Sequence, residues 1–257
     1  MKTKTLGFIG GGRITRIILQ AFKNKSTQFD SIVVFDPDSQ TTDTLKKQYL
    51  EIEIAGSLET AAKQDVVFLA VHPPIMMETL DKIKDVVNDE SVVISLAPKI
   101  ALDKMAQVIP KSKLIRMIPN ATSYINKGYN PVTFHDSFAD KEKKSLMAIF
   151  KVLGKTLEVD ESKLEGYAIV SAMLPTYFWF QWKKMEEIAI QTGLSENEAG
   201  KTIRATLKRA IATYYKSGLS AKEVMDLIPV KPIGQNEQEI ETILETNLLG
   251  LYQKIKP

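Results

Sequence analysis

Short apolar runs recur along the first half of the chain: TLGFI (5–9), SIVVF (31–35), DVVFLAV (65–71), SVVISL (91–96) and KLIRMI (113–118). Each is continuous rather than alternating, and most are rich in Val and Ile. Such runs suit strands buried on both faces, as in a parallel sheet. Helical patterns lie between them. Residues 13–23 carry Ile14, Ile17, Ile18 and Ala21 along one helical face. Segment 75–87 follows Pro73 and Pro74, residues that suit a helix start. The β-α-β alternation predicts a doubly wound parallel α/β sheet of Rossmann-like type. YNPVTF (129–134) and KTLEV (155–159) predict further strands around a helix at 140–152.

The pattern changes after about residue 160. Strand-like runs stop, and residues 164–191 read as one long apolar helix bent at Pro175. Ser195 with Glu198, and Ser220 with Glu223, have the spacing of capping boxes that open helices. Gly193 and Gly218 stand just before them, as helix ends require. A last helix is predicted over 236–254. Between these lies IPVKPIG (228–234), whose two prolines make it a loop. The expected division is an α/β domain over 1–160 and an all-helical domain over 161–257.

Composition narrows the setting. The 257 residues are 44% hydrophobic and 25% charged with a net charge of +3, as in an ordinary globular protein. So small a charge gives little reason to expect nucleic acid or a membrane surface as partner. Lys201, Arg204, Lys208 and Arg209 do form one basic stripe, which reads as a solvated face or a dimer rim. The chain has no cysteine, which excludes disulfides, thiolate catalysis and Cys-based zinc sites. Its two histidines, His72 and His135, are far apart, so no catalytic metal is expected. The first apolar run is broken by Gly10 and Arg13, too early for a signal-peptide core. No segment approaches the roughly 20 apolar residues of a membrane span. A cytoplasmic protein is the expectation.

The chemistry begins at GFIGGGRIT (7–15). Gly10-Gly11-Gly12 follows a predicted strand and opens a predicted helix, the context of a dinucleotide fingerprint. Gly10 allows a tight turn, and Gly12 lets the backbone approach a diphosphate. The helix start then offers free N–H groups and a partial positive charge. Arg13 opposes that dipole unless an anion sits beside it. Thr15 occupies the third fingerprint position, where Gly or Ala is usual. Asp36 ends the second run in VVFDPD, where an acid takes the ribose 2′-hydroxyl. A 2′-phosphate at ~4 Å would meet a repulsion on the order of 4 kcal/mol before screening. A third of that gives roughly tenfold discrimination. NAD(P)H is the expected cofactor, with NADH preferred. The alternative is that Asp36 serves only to start the turn DPD.

These segments resemble the pyrroline-5-carboxylate reductase family over most of the chain. GFIGGGRI matches its glycine turn, with Arg13-Ile14 where Asn-Met is usual. FLAVHPP (68–74) is similar to its fourth-strand motif, with His72 in place of a Lys. VVISLAPKI (92–100) resembles its next strand, with Pro98-Lys99 where Ala-Gly is usual. IRMIPNATSYINKGY (115–129) is the most specific match, and DESKLEGYAIVSAMLPTYFWF (160–180) resembles the first helix of its helical dimerisation domain. The resemblance implies cofactor contacts from Gly10, Gly11, Gly12, Arg13, Ile14, Asp36, Ala70, Val71, His72, Pro73, Ala97 and Asn120. For Asn120 the alternative is a cap on the turn PNATS. The resemblance also implies a homodimer or higher oligomer through the C-terminal helices. The aromatic cluster Tyr177, Phe178, Trp179, Phe180 and Trp182, too wide for one helix face, agrees with an interface of that kind. The reaction implied is hydride transfer to the C=N carbon of a cyclic imine or imino acid, pyrroline-5-carboxylate giving proline.

Two departures bear on the substrate. SAMLP (171–175) replaces Ser-Gly-Ser-Gly-Pro, keeping Ser171 and Pro175. PVKPIGQ (229–235) replaces Thr-Ser-Pro-Gly-Gly-Thr-Thr, whose hydroxyls bind the substrate carboxylate in the family. Each hydrogen bond to a charged group is worth roughly 1.5–3 kcal/mol. Lys231, on a stiff loop between Pro229 and Pro232, is a candidate replacement and proton donor; the alternative is a solvated lysine. Ser171, Tyr177 and Lys231 are the candidate catalytic residues. The altered loop also leaves open a second function, a nicotinamide-nucleotide-binding regulatory or sensing protein.

Overall fold

The computed structural model describes residues 4–257. The first part of the chain alternates strands and helices. β1 (Thr5–Ile9), α1 (Arg13–Asn24), β2 (Ser31–Phe35), α2 (Ser39–Gln48), β3 (Glu53–Ile54), α3 (Leu58–Ala62), β4 (Val66–Leu69), α4 (Pro73–Ile83), β5 (Val92–Ser95), α5 (Leu102–Ala106) and β6 (Lys113–Met117) follow in order. β7 (Gly128–Phe134), α6 (Asp140–Phe150) and β8 (Gly154–Glu158) complete one sheet of order β3-β2-β1-β4-β5-β6-β7-β8.

The continuous apolar runs are explained by burial on both faces. Successive residues of each strand enter opposite cores. Phe8, Val34, Phe68, Ile94 and Ile115 join one cluster. Ile9, Val33, Val67, Val93 and Leu114 join the other. Phe8 and Phe68 stack across β1 and β4 with ring centroids 4.8 Å apart. Burying such a side chain contributes roughly 1.5–3 kcal/mol.

The sheet differs from the sequence expectation in its last strands. β7 runs antiparallel to β6, pairing Ile115 with Phe134, and β8 follows β7 in parallel. The cause is the connection, residues 118–127. A parallel crossover needs about a dozen residues or more, and this segment is spent on a tight helical turn at Ala121–Ile125. Periodicity also left α2, α3, α5 and the two-residue β3 unread; the last three are too short to show a period.

The expected long helix at 164–191 is three pieces. α7 (Leu164–Tyr167) runs into a π-turn over Ala168–Ala172, and α8 (Leu174–Gln191) begins anew. Pro175 sits in the first turn of α8, where its missing N–H costs nothing. α9 (Glu196–Lys216) and α10 (Ala221–Asp226) start at the two expected capping boxes. Gly193 and Gly218 take φ of 99° and 81°. α11 (Glu237–Ile255) closes the chain.

Two compact units result. One comprises Met1–Met173 with Tyr252–Pro257, the other Leu174–Leu251. The division falls later than the expected 160/161 because residues 161–172 pack with the sheet unit. Leu164 and Ala168 are buried beside Ile118, with Ile255 against them. In the helical unit, Ala199 is the one side chain on α8 to α10 that is fully buried. Trp179, Phe180, Ile188 and Tyr215 are exposed.

Candidate functional site

The glycine turn joins β1 to α1. Gly10 has φ of +103°, and a Cβ there would lie 2.5 Å from the Ala70 carbonyl oxygen. Glycine is therefore required by the neighbouring backbone. Its N–H donates to the Phe35 carbonyl at 2.8 Å. The fingerprint departure, Thr15, is fully buried and its Oγ1 donates to the Gly10 carbonyl at 2.5 Å. The hydroxyl thus braces the turn from beneath, a role Gly or Ala could not fill.

Gly12 is different. A Cβ there would meet nothing within 4 Å. It caps α1 without a side chain to bond the first N–H groups, and the first helical turn holds no acidic residue. Those N–H groups and the helix dipole make an anion cradle. Any side chain at Gly12 would stand in the cradle. Arg13 and Arg16 line the adjoining hollow of about 390 Å³ with Asp38 and Thr41. Ile14 packs against the first core cluster.

A cleft of about 670 Å³ opens at the carboxyl edge of the parallel strands. Its walls include Gly10, Gly12, Asp36, Ala70, Val71 and His72. Ligands of open α/β sheets bind at that edge, where the strand order reverses, here between β1 and β4. The volume is that of a ligand pocket, about 300–1,000 Å³. His72 is the exposed residue before α4 and makes no capping bond; Pro73 is the first residue of that helix. Ala97 lies apart from the cleft wall, 3% exposed within the second core cluster. His135 lies elsewhere, at the end of β7, in a separate cleft of about 470 Å³ with Asp136, Lys143 and Glu158.

Asp36 does two jobs within the protein. Its Oδ2 accepts from the Gly11 N–H at 2.7 Å and its Oδ1 from the Asp38 N–H at 2.9 Å. It therefore starts the turn, as the alternative reading held, and ties β2 to the glycine turn. A carboxylate has about four acceptor positions, so each oxygen keeps capacity for a ribose hydroxyl.

Asn120 and Ser171 meet, but they serve each other. Asn120 Nδ2 donates to the Ser171 carbonyl at 2.9 Å and to Ser171 Oγ at 3.1 Å. Asn120 Oδ1 accepts from the Thr122 N–H and hydroxyl. Ser171 Oγ in turn donates to the Tyr129 carbonyl at 2.7 Å. Both side chains are buried and committed to a strut that pins the π-turn to β7; Asn120 is indeed the cap of its turn. Tyr177 and Lys231 belong to the helical unit. Tyr177 is half-buried, and burial raises its phenol above the usual range, which keeps the hydroxyl protonated. Lys231 is exposed in the loop, and its carbonyl accepts from the Gly234 N–H at 3.0 Å.

One network escaped the sequence reading. Arg116, in the middle of β6, is wholly buried and its Nη1 donates to Glu161 Oε1 at 2.8 Å. Its Nη2 donates to Glu165 Oε1, and Glu165 is 2% exposed. The same two carboxylates hold the loop after β5: Glu165 Oε1 accepts from the Lys99 N–H at 3.2 Å and Glu161 Oε1 from the Leu102 N–H at 2.8 Å. The signal was an arginine inside an apolar strand, which must find a buried partner.

Residues 5–99 match the family model described as NADP oxidoreductase, coenzyme F420-dependent. Fold, glycine turn and cleft together define an NAD(P)H-dependent oxidoreductase. The chain is 27% identical over 200 residues to the pyrroline-5-carboxylate reductase of Escherichia coli strain K12, covering 77% of this chain and 74% of that one. It is 24% identical over 255 residues to the Corynebacterium melassecola enzyme of the same name, covering 97% and 94%. The chain is thus similar to pyrroline-5-carboxylate reductases over most of its length. The Plasmodium falciparum pyrroline carboxylate reductase, solved with NADP bound, has the same fold, with a TM-score of 0.84 at 19% identity over 100% of this chain and 98% of that one.

Proposed function

We propose that the protein reduces the C=N bond of a cyclic imine, pyrroline-5-carboxylate to proline, with NADH preferred over NADPH. The observation that carries the reading is the cradle at Gly12, open where a Cβ would stand and sharing one cleft with Asp36. It fits a dinucleotide: the N–H groups at the start of α1 and Arg13 would hold the diphosphate, Asp36 a ribose, and Ala70 to Pro73 the wall beyond. The bound nicotinamide would supply the hydride.

The chain's own residues would then orient the imine and exclude water, because much of this catalysis is proximity. Tyr177 and Lys231 are the helical unit's candidates for contact with substrate. Ser171, whose hydroxyl is already spent, would act by holding the π-turn. The helical unit would pair with that of a second copy, a reading supported by its exposed aromatic and aliphatic side chains. None of the relatives named above favours the sensing-protein alternative.

NADH oxidation on adding pyrroline-5-carboxylate tests the reaction, with proline as the expected product; binding of NADH without turnover of any cyclic imine would remove it. Asp36→Asn keeps an acceptor for the Gly11 N–H but drops the charge. The ratio of kcat/KM values for NADH and NADPH is expected to fall about tenfold. An unaltered ratio would take Asp36 out of cofactor choice.

A further inference from the structure

We propose that Lys99 is the residue that receives the substrate's anionic group, a carboxylate on the imine ring. The inference rests on the imine-reductase reading and names the recognition element of that site. The first observation is backbone strain. Lys99 has φ of +81°. The other non-glycine residues with positive φ among those described are Ser26 at 48° and Asn126 at 58°. Those two lie in or at the border of the ordinary left-handed region of roughly +50° to +70°, and Asn tolerates it well. A lysine at +81° does not, and glycine would sit there without strain.

Strain of this kind persists only where the surroundings over-determine it, and it gathers at ligand sites. Here the surroundings are buried charges. The Lys99 N–H is held by Glu165 Oε1, which is itself held by Arg116. Pro98 stiffens the approach. The fold therefore spends a buried ion network on fixing a residue whose own side chain is exposed. No carboxylate lies within ion-pair distance of its ammonium among the described residues.

The second observation is position. The glycine turn that suits a diphosphate follows β1, and Asp36, suited to one ribose, follows β2. The other half of a dinucleotide must then extend the opposite way, over β4 and β5. Lys99 is in the loop after β5, two strands from β1, or about 10 Å at the spacing of neighbouring strands. It stands beyond the diphosphate, toward the end that carries the reacting carbon. An ammonium beside the cationic iminium nitrogen would repel it, so the pairing is with the ring's carboxylate. Lys231 is the competitor, but its backbone is tied only into a local turn.

The test compares pyrroline-5-carboxylate with carboxylate-free 1-pyrroline, using the full chain and saturating NADH. Lys99→Gln is expected to raise KM for pyrroline-5-carboxylate about tenfold or more and to leave 1-pyrroline unaffected, with Lys99→Arg partly restoring the loss. Lys99→Gly should show the same loss while melting at a higher temperature, because the strain is gone; a rise in melting temperature excludes misfolding as the cause. An unchanged KM, an equal rise for both imines, or a carboxylate-specific rise confined to Lys231→Ala overturns the proposal. Turnover of neither imine by the unaltered protein would remove the reductase reading instead. Lys99 is then judged by calorimetric titration of proline into the NAD⁺-loaded protein. Binding lost in Lys99→Gln supports it, and binding that is absent or unaltered overturns it.

Discussion

A methyl group added at Gly12 would touch no protein atom within 4 Å, whereas one added at Gly10 would strike the Ala70 carbonyl oxygen at 2.5 Å. The two glycines of one turn thus differ: Gly10 is required by the fold, and Gly12, on the function proposed above, leaves room for the diphosphate. Gly12→Ala is expected to change unfolding free energy by less than about 1 kcal/mol, since its φ of −71° suits any residue. It should weaken NADH binding at least tenfold in a fluorescence titration. Gly10→Ala should instead destabilise by about 1–3 kcal/mol or more in urea unfolding. Equal NADH affinity in Gly12→Ala and the unaltered protein would place the diphosphate elsewhere. Thr15 belongs to the same account. Its buried hydroxyl bonds the Gly10 carbonyl, so the residue that weakens the fingerprint on paper strengthens the turn in space.

Between elements, the decisive joint is the π-turn that precedes α8. Such turns insert an extra residue per hydrogen-bonded ring and recur at functional sites. Here the turn is held from outside by Asn120, which bonds both the carbonyl and the hydroxyl of Ser171. Removing that amide leaves a buried carbonyl unpaired, at a cost of about 1–3 kcal/mol. Asn120→Ala is therefore expected to lower the thermal midpoint and to reduce kcat, while NADH affinity stays as it was. A tenfold loss of NADH affinity with unchanged stability would show instead that the amide serves the cofactor.

For the molecule as a whole, the two units differ in how much they bury. The sheet unit fills two cores, one on each face. The helical unit leaves Phe180 68% and Ile188 52% exposed. Exposed apolar side chains of this kind are what the proposed pairing with a second copy would cover. Light scattering at micromolar concentration is expected to give the mass of two chains or a multiple. Phe180→Asp with Ile188→Asp should shift that mass toward one chain and reduce turnover with it. A single-chain mass at tens of micromolar for the unaltered protein would refute the pairing.

Much of this was legible in the residues themselves. Strands buried on both faces, helix starts at Ser195 and Ser220, and the glycine turn all declare themselves within a few positions, because burial periodicity, capping and φ preference act locally. The sequence by itself thus determined the parallel core, the helical C-terminal unit and the glycine turn between β1 and α1. Tertiary structure alone decided the reversal at β7, the commitment of Asn120 and Ser171 to each other, and the strain at Lys99. Each of these depends on partners that chain order does not bring together: Asn120 and Ser171 lie 51 positions apart, and Arg116 and Glu165 49. A hydrogen-bond donor in a sequence has many acceptors open to it, and only the order of strands in the sheet fixes which one it meets.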